Sequence, residues 1–265
     1  MKKPGIFILL ISFMACQGEK ETKTTDVTTQ SDTLTFSYDS VKVISKLPAS
    51  KEKEIRDTSK AVISFPVFSD KGINDFVLNK VLRSADSGKN YKSYQDYAAD
   101  FIKGFEDFQK TESERPQNWF LEIRNRIETQ KPGYISFLST YINYSGGAHP
   151  NSVFTYLNYN TENHQEILLD SLLIPGTEPR LNSIAEQIFR KNEKLSPTAS
   201  LKDGYFFDND IFKLNNNFTI TDKGLKFLYN PYEIKAYVYG TTELIIPFKD
   251  LKGMVKPNSL LSSYK

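Results

Sequence analysis

The sequence predicts an α+β fold in which an antiparallel β-sheet is packed by a few helices and two subdomains are intimately associated. Apolar residues recur with strand and helix periods in separate segments, without the regular strand–helix alternation of a doubly wound sheet. The aromatic share of 13%, with 19 Phe and 15 Tyr residues, suits strands that have one half-exposed face. A chain of 265 residues is long enough to bury the core of such a fold.

The first expected elements are two strands followed by two helices. Residues 33–44 ("TLTFSYDSVKVI") and Ala61–Phe68 alternate in the way that strands do. Pro66 indicates an edge strand, or a strand that ends there, because proline cannot donate a hydrogen bond to a neighbouring strand. Apolar residues then recur at helical spacing over residues 73–81 and, more clearly, over residues 94–108. The aromatic stripe of the second helix is interpreted as a buried core face.

The central part of the chain predicts three consecutive strands. Residues 119–128 ("WFLEIRNRIE") alternate apolar and charged side chains, which is typical of an antiparallel strand with one buried and one exposed face. Residues 133–144 are apolar on both faces in places and predict a central strand, and residues 153–159 predict a third. Residues 161–164 ("TENH") are interpreted as a turn.

The last part predicts one helix and three strands. Residues 181–189 have helical spacing, and the loop "GYFFDND" that follows contains Phe206 and Phe207, which are expected to be buried. Residues 218–230 ("FTITDKGLKFLYN") predict two short strands around an Asp-Lys-Gly turn. Residues 243–248 ("ELIIPF") predict the last strand.

The amino-terminal residues have the pattern of a bacterial lipoprotein signal peptide, which is expected at residues 1–15. Two lysines precede an apolar run that is too short to span a bilayer, and a small residue stands directly before Cys16, the only cysteine. Cys16 is the expected site of lipid attachment to a membrane, and residues 16–33 are the expected flexible tether. Gln17 does not resemble an inner-membrane retention signal, which favours the outer membrane of a cell envelope.

The expected mature chain has no net charge. Removing Lys2 and Lys3 with the signal peptide leaves 32 basic residues beside 32 acidic residues. A neutral chain lacks the basic surface that nucleic acids require, so nucleic-acid partners are excluded. Lipidation of Cys16 would also leave no thiol for a disulfide or for nucleophilic catalysis.

The segment "YINYSGGAHPN" (residues 141–151) runs from a strand into a glycine pair and then into one of only two histidines. Gly146 and Gly147 are interpreted as structural residues of a turn between antiparallel strands, since glycine adopts positive φ readily. His149 has two interpretations. It is a turn residue that bonds a backbone carbonyl, or it contacts a ligand, which requires an orienting carboxylate and an open cleft.

The segment "NPYEIKAYVYG" (residues 230–240) follows a predicted strand, which Asn230 and Pro231 are expected to end. These two residues and Gly240 are the structural residues of the motif. Tyrosine rings and hydroxyls suit stacking on sugars or contact with a protein. The alternative is a tyrosine-lined corner that packs on the last strand, with Glu233 bonded to backbone donors. The candidate ligand-binding residues of this segment are Tyr232, Glu233, Tyr237 and Tyr239.

Neither a metal site nor a cofactor is expected. His149 and His164 lie far apart in the chain with no cysteine to complete a zinc site, so several carboxylates would be needed. Asp203, Asp208 and Asp210 lack the ligand spacing and the glycine of a dedicated calcium loop. They are interpreted as an exposed acidic turn.

Taken together, these motifs resemble two known families. "YINYSGGAHPN", "ILLDSLL", the segment from "FTITDKG" to "KAYVYG", and "ELIIPFKDL" resemble the RsiV-type (DUF3298) domain of lysozyme-sensing anti-sigma factors, expected at residues 150–265. Residues 34–149 resemble the PdaC-type (DUF4163) domain, which is also found at the front of a peptidoglycan deacetylase. The resemblance implies an α+β unit of antiparallel sheet packed by helices.

The resemblance also limits the possible activities. An anti-sigma factor needs a cytoplasmic segment and a transmembrane helix, and a deacetylase needs a catalytic domain with metal-binding Asp and His residues. The sequence predicts neither, and it contains no nucleophile elbow, phosphate loop or metalloprotease motif. Catalysis by a pair of carboxylates stays open, because 32 acidic residues allow many pairs.

The leading hypothesis is therefore a lipid-anchored cell-envelope protein that binds rather than catalyses. The resemblance implies that its ligand is a cell-wall glycan such as peptidoglycan, or a protein that acts on one, such as lysozyme. One alternative is a hydrolase of envelope polysaccharide, for which Glu233 and His149 are the nominated residues. Another is a structural component of an envelope complex.

Overall fold

The computed structural model describes residues 34–47, 58–84, 88–112 and 117–263. The expected signal peptide, the tether and the lipidation site Cys16 lie outside these ranges. Within the described ranges, no helix combines the length and the apolar character needed to cross a membrane.

The fold is α+β, as the sequence predicts, and contains two sheets. The strands of the first sheet are β1 (Phe36–Ile44), β2 (Lys60–Phe68), β3 (Phe120–Lys131), β4 (Tyr134–Tyr144), β5 (Asn151–Asn160) and β6 (Gln165–Glu166). They lie side by side in chain order. Residues 161–164 form the predicted turn between β5 and β6.

One pair of neighbouring strands in this sheet is parallel. β3, predicted as an antiparallel strand, pairs antiparallel with β4 but parallel with β2. The remaining pairs of the sheet are antiparallel. The helices α1 (Lys71–Arg83) and α2 (Tyr94–Thr111) connect β2 to β3. They return the chain to the end of the sheet at which β2 began, so β3 runs in the same direction as β2.

The prediction that β2 is an edge strand, or ends at Pro66, is wrong. β2 pairs with β1 as far as Phe68 and with β3 on its other side. The pairing with β3 stops at Ser64, however, so Pro66 lies where β2 has a paired neighbour on only one side. A missing backbone N–H is tolerated at such a position.

Both helices begin at side-chain caps and pack on one face of the first sheet. Asp70 accepts hydrogen bonds from the N–H groups of Gly72, at 2.7 Å, and Ile73, and Ser93 accepts one from Asp96, at 3.0 Å. The aromatic stripe of α2 contributes to a buried core, as predicted. Residues of this first core include Ala61, Ile63, Val77, Val81, Tyr94, Tyr97, Ile102, Leu121, Ile123, Ile135 and Phe137.

The second half of the chain forms a smaller sheet covered by a helix. Its elements are α3 (Leu169–Leu172), α4 (Glu178–Asn192), β7 (Phe218–Ile220), β8 (Gly224–Tyr229) and β9 (Thr242–Pro247). The three strands are antiparallel in chain order, and α4 contributes Leu181, Ala185 and Phe189 to their core. Gly224 is required after the β7–β8 turn, since a Cβ on it would lie 2.0 Å from the carbonyl oxygen of Ile246.

A buried hydrogen-bond network joins the two sheets. Tyr134, on β4, donates its hydroxyl to Asn158 Oδ1 at 2.7 Å and accepts from the N–H of Ile220 at 3.0 Å. Thr219, on β7, donates to the hydroxyl of Ser136 on β4 at 2.9 Å. Burial raises the pKa of the Tyr134 phenol, so the hydroxyl stays a donor.

Asparagine side chains from the second half cover the free edge of β5. β6 pairs only with the last two residues of β5, so earlier backbone groups face no strand on that side. Asn217 accepts from the N–H of Tyr156 and donates to the carbonyl of Phe154, both at 2.8 Å, and Asn230 accepts from the N–H of Phe154 at 2.6 Å. These bonds satisfy an open sheet edge without adding a strand.

The expected division between residues 34–149 and residues 150–265 falls within the first sheet. β5 begins after this division, yet it pairs with β4 along its whole length. The later part of the chain therefore supplies β5 and β6 to the sheet that the earlier part begins.

Replacing Tyr134 by Phe removes the hydroxyl that links β4 to β5 and β7. Asn158 and the N–H of Ile220 then lose this partner, and an unsatisfied buried group costs about 1–3 kcal/mol. We expect the free energy of unfolding, measured by urea denaturation, to fall by that amount. Tyr38→Phe is the control, because Tyr38 is 53% exposed and its hydroxyl lies 3.3 Å from the nitrogen of Ile127. If both variants lost the same free energy of unfolding, the buried network would not be what stabilises the contact between the two sheets.

Candidate functional site

The glycine pair forms the loop between β4 and β5, as the sequence predicts. Gly146 and Gly147 have φ angles of 108° and 107°, which residues with side chains rarely adopt. A Cβ on Gly146 would also lie 2.7 Å from Oε1 of Gln117. Tyr144 donates its hydroxyl to the carbonyl of Gly147 at 2.9 Å. This loop places His149 at an exposed position.

His149 bonds both its own loop and the segment that follows β8. Its Nδ1 lies 2.9 Å from the carbonyl oxygen of Pro150, and its Nε2 lies 3.1 Å from the hydroxyl of Tyr232. A carbonyl can only accept, so Nδ1 donates the hydrogen bond to Pro150. The imidazole also stacks on the ring of Tyr237, with centroids 3.9 Å apart and planes inclined by 16°. His149 is thus a turn residue and a member of an aromatic cluster.

The segment after β8 begins with a turn that Glu233 closes. β8 ends at Tyr229, directly before Asn230 and Pro231. The two oxygens of Glu233 accept from the backbone N–H of Asn230 and from the side-chain amide of Asn215, both at 2.7 Å. Because both oxygens are bonded within the protein, Glu233 stabilises the turn.

The tyrosines of this segment are exposed to different degrees. Tyr232 is 55% exposed and Tyr239 is 66% exposed, whereas Tyr237 is half-buried. Val238, between the last two, is 83% exposed. A short 3₁₀ turn contains Tyr237, Val238 and Tyr239, and it ends at Gly240, whose φ is 65°.

A second loop, residues 204–211, lies against this segment. The N–H of Phe206 donates to the carbonyl of Ile234 at 3.0 Å. Phe206 is 54% exposed and Ile211 is 67% exposed, whereas Phe207 is 8% exposed and belongs to the second core. The expectation that both phenylalanines are buried is therefore wrong for Phe206. The reason is that Phe207 has an extended backbone, so the two neighbouring side chains point to opposite sides.

We name the exposed side chains of these two neighbouring loops, together with His149 and Tyr237, the aromatic surface. It consists of His149, Phe206, Ile211, Tyr232, Tyr237, Val238 and Tyr239. Five of the nine large hydrophobic side chains exposed on the described part of the chain belong to it, so the exposure is concentrated. Ile211 and Val238 are not among the residues that the sequence predicts to bind a ligand. An apolar residue in a short loop, without a strand or helix period to bury it, is the signal that could have identified them.

A half-buried carboxylate, Glu193, supports the aromatic surface. Nζ of Lys235 lies 2.9 Å from Glu193 Oε1 and 5.9 Å from the ring centroid of Tyr239. Tyr205 donates its hydroxyl to Glu193 Oε2 at 2.9 Å. Burial, and then the adjacent carboxylate, raises the pKa of Tyr205 to about 12. Tyr205 therefore stays protonated and keeps this hydrogen bond at neutral pH.

No three His, Cys, Asp or Glu side chains in the described ranges lie close enough together to hold a metal ion. His164 has different neighbours from His149, with Nδ1 3.7 Å from Asp70 Oδ2 and 3.4 Å from the hydroxyl of Tyr159. Asp208–Asp210 form a short 3₁₀ turn whose side chains are exposed.

The stacking of His149 on Tyr237 can be measured by solution NMR of the full chain. An aromatic ring face-on at 3.9 Å shields the imidazole protons and moves their resonances upfield. We expect His149 to lose this shift in Tyr237→Ala and to keep it in Tyr237→Phe. Tyr239→Ala is the matched control, and His164→Gln assigns the remaining imidazole signals. An unchanged His149 resonance in Tyr237→Ala would rule out the stacked arrangement.

Two family models match the chain in tandem. The model described as "Deacetylase PdaC" matches residues 52–152, and the model described as "Protein of unknown function (DUF3298)" matches residues 170–249. His149 lies within the first match, and the other members of the aromatic surface lie within the second. Both matched regions therefore contribute to this surface.

A curated relative matches a shorter part of the chain. It is "Esterase Rv3036c" of Mycobacterium tuberculosis (strain ATCC 25618 / H37Rv), which is 29% identical over 109 residues. The match covers 38% of this chain and 44% of the relative, so the chain spans less than half of that protein's length.

Two solved structures described as DUF3298 family members share the fold. The one from Bacteroides fragilis NCTC 9343 is 20% identical, with a TM-score of 0.68, and the match covers 88% of this chain and 99% of that one. The one from Pseudomonas aeruginosa PAO1 is 21% identical, with a TM-score of 0.69, and the match covers 86% and 96%. The chain therefore matches a PdaC model and then a DUF3298 model in tandem, and it shares the fold of the two solved DUF3298 structures.

Proposed function

We propose that this chain is a cell-envelope binding protein that recognises a protein partner through its aromatic surface. The tandem of PdaC and DUF3298 domains supports an envelope-associated role. The proposed partner is a protein that acts on cell-wall glycan, such as lysozyme, and peptidoglycan itself is the second ligand considered. Anchoring to the outer membrane through acylated Cys16 belongs to the same proposal and rests on the sequence pattern of residues 1–16.

The observation that carries this proposal is the exposure of the aromatic surface. Tyr232, Val238 and Tyr239 are each more than half exposed, although contiguous apolar side chains are uncommon on the surface of a soluble protein. Aromatic residues contribute most of the binding free energy in many protein interfaces. The segment that carries these side chains is held by internal hydrogen bonds, so little conformational entropy is lost on binding.

The composition of the surface favours a protein over a sugar. Phe206, Ile211 and Val238 add apolar area without any group that could bond a sugar hydroxyl. Glu233, the carboxylate nearest in sequence, is already bonded through both oxygens. A protein surface can cover such an area with apolar side chains of its own.

A hydrolase is the second candidate, favoured by the similarity to a protein named an esterase. The geometry at the nominated residues supports it less well. In acyl transfer, a histidine base bonds a carboxylate through one nitrogen and the nucleophile through the other. His149 instead bonds a backbone carbonyl and Tyr232. Glu233, nominated for polysaccharide hydrolysis, is bonded through both oxygens.

Binding of lysozyme by the purified full chain tests the proposal. We expect lysozyme to be retained in a pull-down, with an affinity measurable by calorimetry. In a Tyr232→Ala, Tyr239→Ala variant the affinity should fall at least about tenfold, because truncating central aromatic residues of an interface typically costs 2 kcal/mol or more. Tyr38→Ala is the matched control, since Tyr38 is 53% exposed on β1 of the first sheet.

Each other result of this experiment has a definite meaning. Equal affinities of the double variant and the unmodified chain would contradict a role of the aromatic surface. Retention by insoluble peptidoglycan but not by lysozyme would replace the protein partner with the glycan. Retention by neither would contradict both and favour a structural role in an envelope complex.

Hydrolysis assays distinguish the binding protein from the hydrolase. With p-nitrophenyl butyrate and with peptidoglycan as substrates, we expect no turnover above that of buffer, because His149 and Glu233 are engaged in internal bonds. Saturable turnover that is lost in His149→Gln or Glu233→Gln, but kept in the control His164→Gln, would contradict this expectation. Circular dichroism of each variant shows whether it is folded.

A further inference from the structure

The helix-facing side of the first sheet is apolar at one end and polar at the other. Side chains alternate along a strand, so the odd-numbered residues of β4 and β5 share this face. At one end they form the cross-strand pairs Ile135–Tyr159 and Phe137–Leu157, which are buried in the first core. At the other end the pairs are Ser139–Thr155, Tyr141–Val153 and Asn143–Asn151. A sheet face that is covered by helices along its whole length would be apolar along its whole length. The change from apolar to polar pairs therefore marks the point at which the helices stop covering β4 and β5.

The polar end of this face belongs to a groove, which we name the sheet groove. Its volume is about 780 Å³, within the range of small-ligand sites. Tyr97 and Phe101 from α2, and Trp119 just before β3, supply aromatic lining. Lys80 and Arg83, from the last turn of α1, supply cationic lining.

Three polar atoms of residues that line the sheet groove are buried and lack a hydrogen-bond partner among the described residues. They are Nε1 of Trp119, Oδ1 of Asn143 and the hydroxyl oxygen of Tyr156. Buried polar groups in folded proteins are nearly always bonded. The hydroxyl and amide side chains of the groove lining, among them Ser139, Asn151 and Thr155, can each donate and accept a hydrogen bond. The groove is therefore suited to a molecule that is rich in hydroxyl groups.

We propose that the sheet groove binds a saccharide chain. Sugars present C–H faces to aromatic rings and hydroxyls to amides, and the groove offers rings beside Asn143, Asn151 and Thr155. A lipid chain would leave these amides unsatisfied.

The charged residues of the sheet groove predict different contacts for an acidic saccharide and for an uncharged one. Lys80 is paired with Glu166 at 2.5 Å. Arg83 has no ion-pair partner among the described residues, so it is available to the carboxylate of an acidic sugar. An uncharged saccharide would use only the amides, hydroxyls and rings. This proposal concerns a different site from the aromatic surface and does not depend on the proposed function.

The single tryptophan of the chain, Trp119, provides the measurement. Titrating the full chain with chitotetraose, which is uncharged, and with tetragalacturonate, which is acidic, should change the fluorescence of Trp119 saturably. We expect Asn143→Leu to weaken the binding of both sugars at least about tenfold, which corresponds to the loss of a strong hydrogen bond. Arg83→Gln should weaken only the binding of tetragalacturonate.

Three further variants make the test decisive. Thr155→Val removes a hydroxyl from the exposed floor at constant shape and should also weaken binding, even if Asn143→Leu does not fold. Asn192→Leu, at the exposed end of α4, is the control that should bind normally. Tyr38→Ala, at an exposed position on β1, is a second control that should also bind normally. No fluorescence change with either sugar, or a change that Asn143→Leu and Thr155→Val leave unaltered, would overturn the proposal.

Discussion

The need to satisfy the backbone of β5 is the constraint on which the rest of the structure depends. Every N–H and C=O that leaves water requires a partner, and β4 supplies partners on only one side of this strand. On the other side, asparagine side chains take the place of a strand. Asn158 extends the same pattern by donating to the carbonyl of Phe218 at 2.7 Å. Because hydrogen bonds are directional, they determine how the second sheet lies against the first.

The same bonds decide where the aromatic surface forms. Asn230 bonds Phe154 on β5 and is also the first residue after β8, so it sets the start of the segment that carries Tyr232. His149 lies on the loop that enters β5 and meets that segment there. The residues Ser145 and Asn151, on either side of this loop, also line the sheet groove. The two proposed binding sites therefore share one loop.

Local sequence patterns predicted most of the helices and strands, and the predictions that were wrong have a common cause. The helical spacing of residues 94–108 and the turn at Gly146 and Gly147 are properties of neighbouring residues, and both are present in the structure. The parallel pairing of β2 with β3 and the exposure of Phe206 depend on which distant segment lies alongside. Alternation identifies the two faces of a strand, but it does not say what covers each face.

The sequence by itself determined the α+β class, the positions of the helices and strands, and the two motifs from which the candidate site is built. These follow from periodicity and from the backbone preferences of glycine, proline and asparagine, which act within a few residues. Only the tertiary structure decided that His149 stacks on Tyr237 and that the polar end of β4 and β5 opens into a groove. These contacts join residues that are far apart in the chain, and their geometry is set by the packing of the two sheets, which no local pattern encodes.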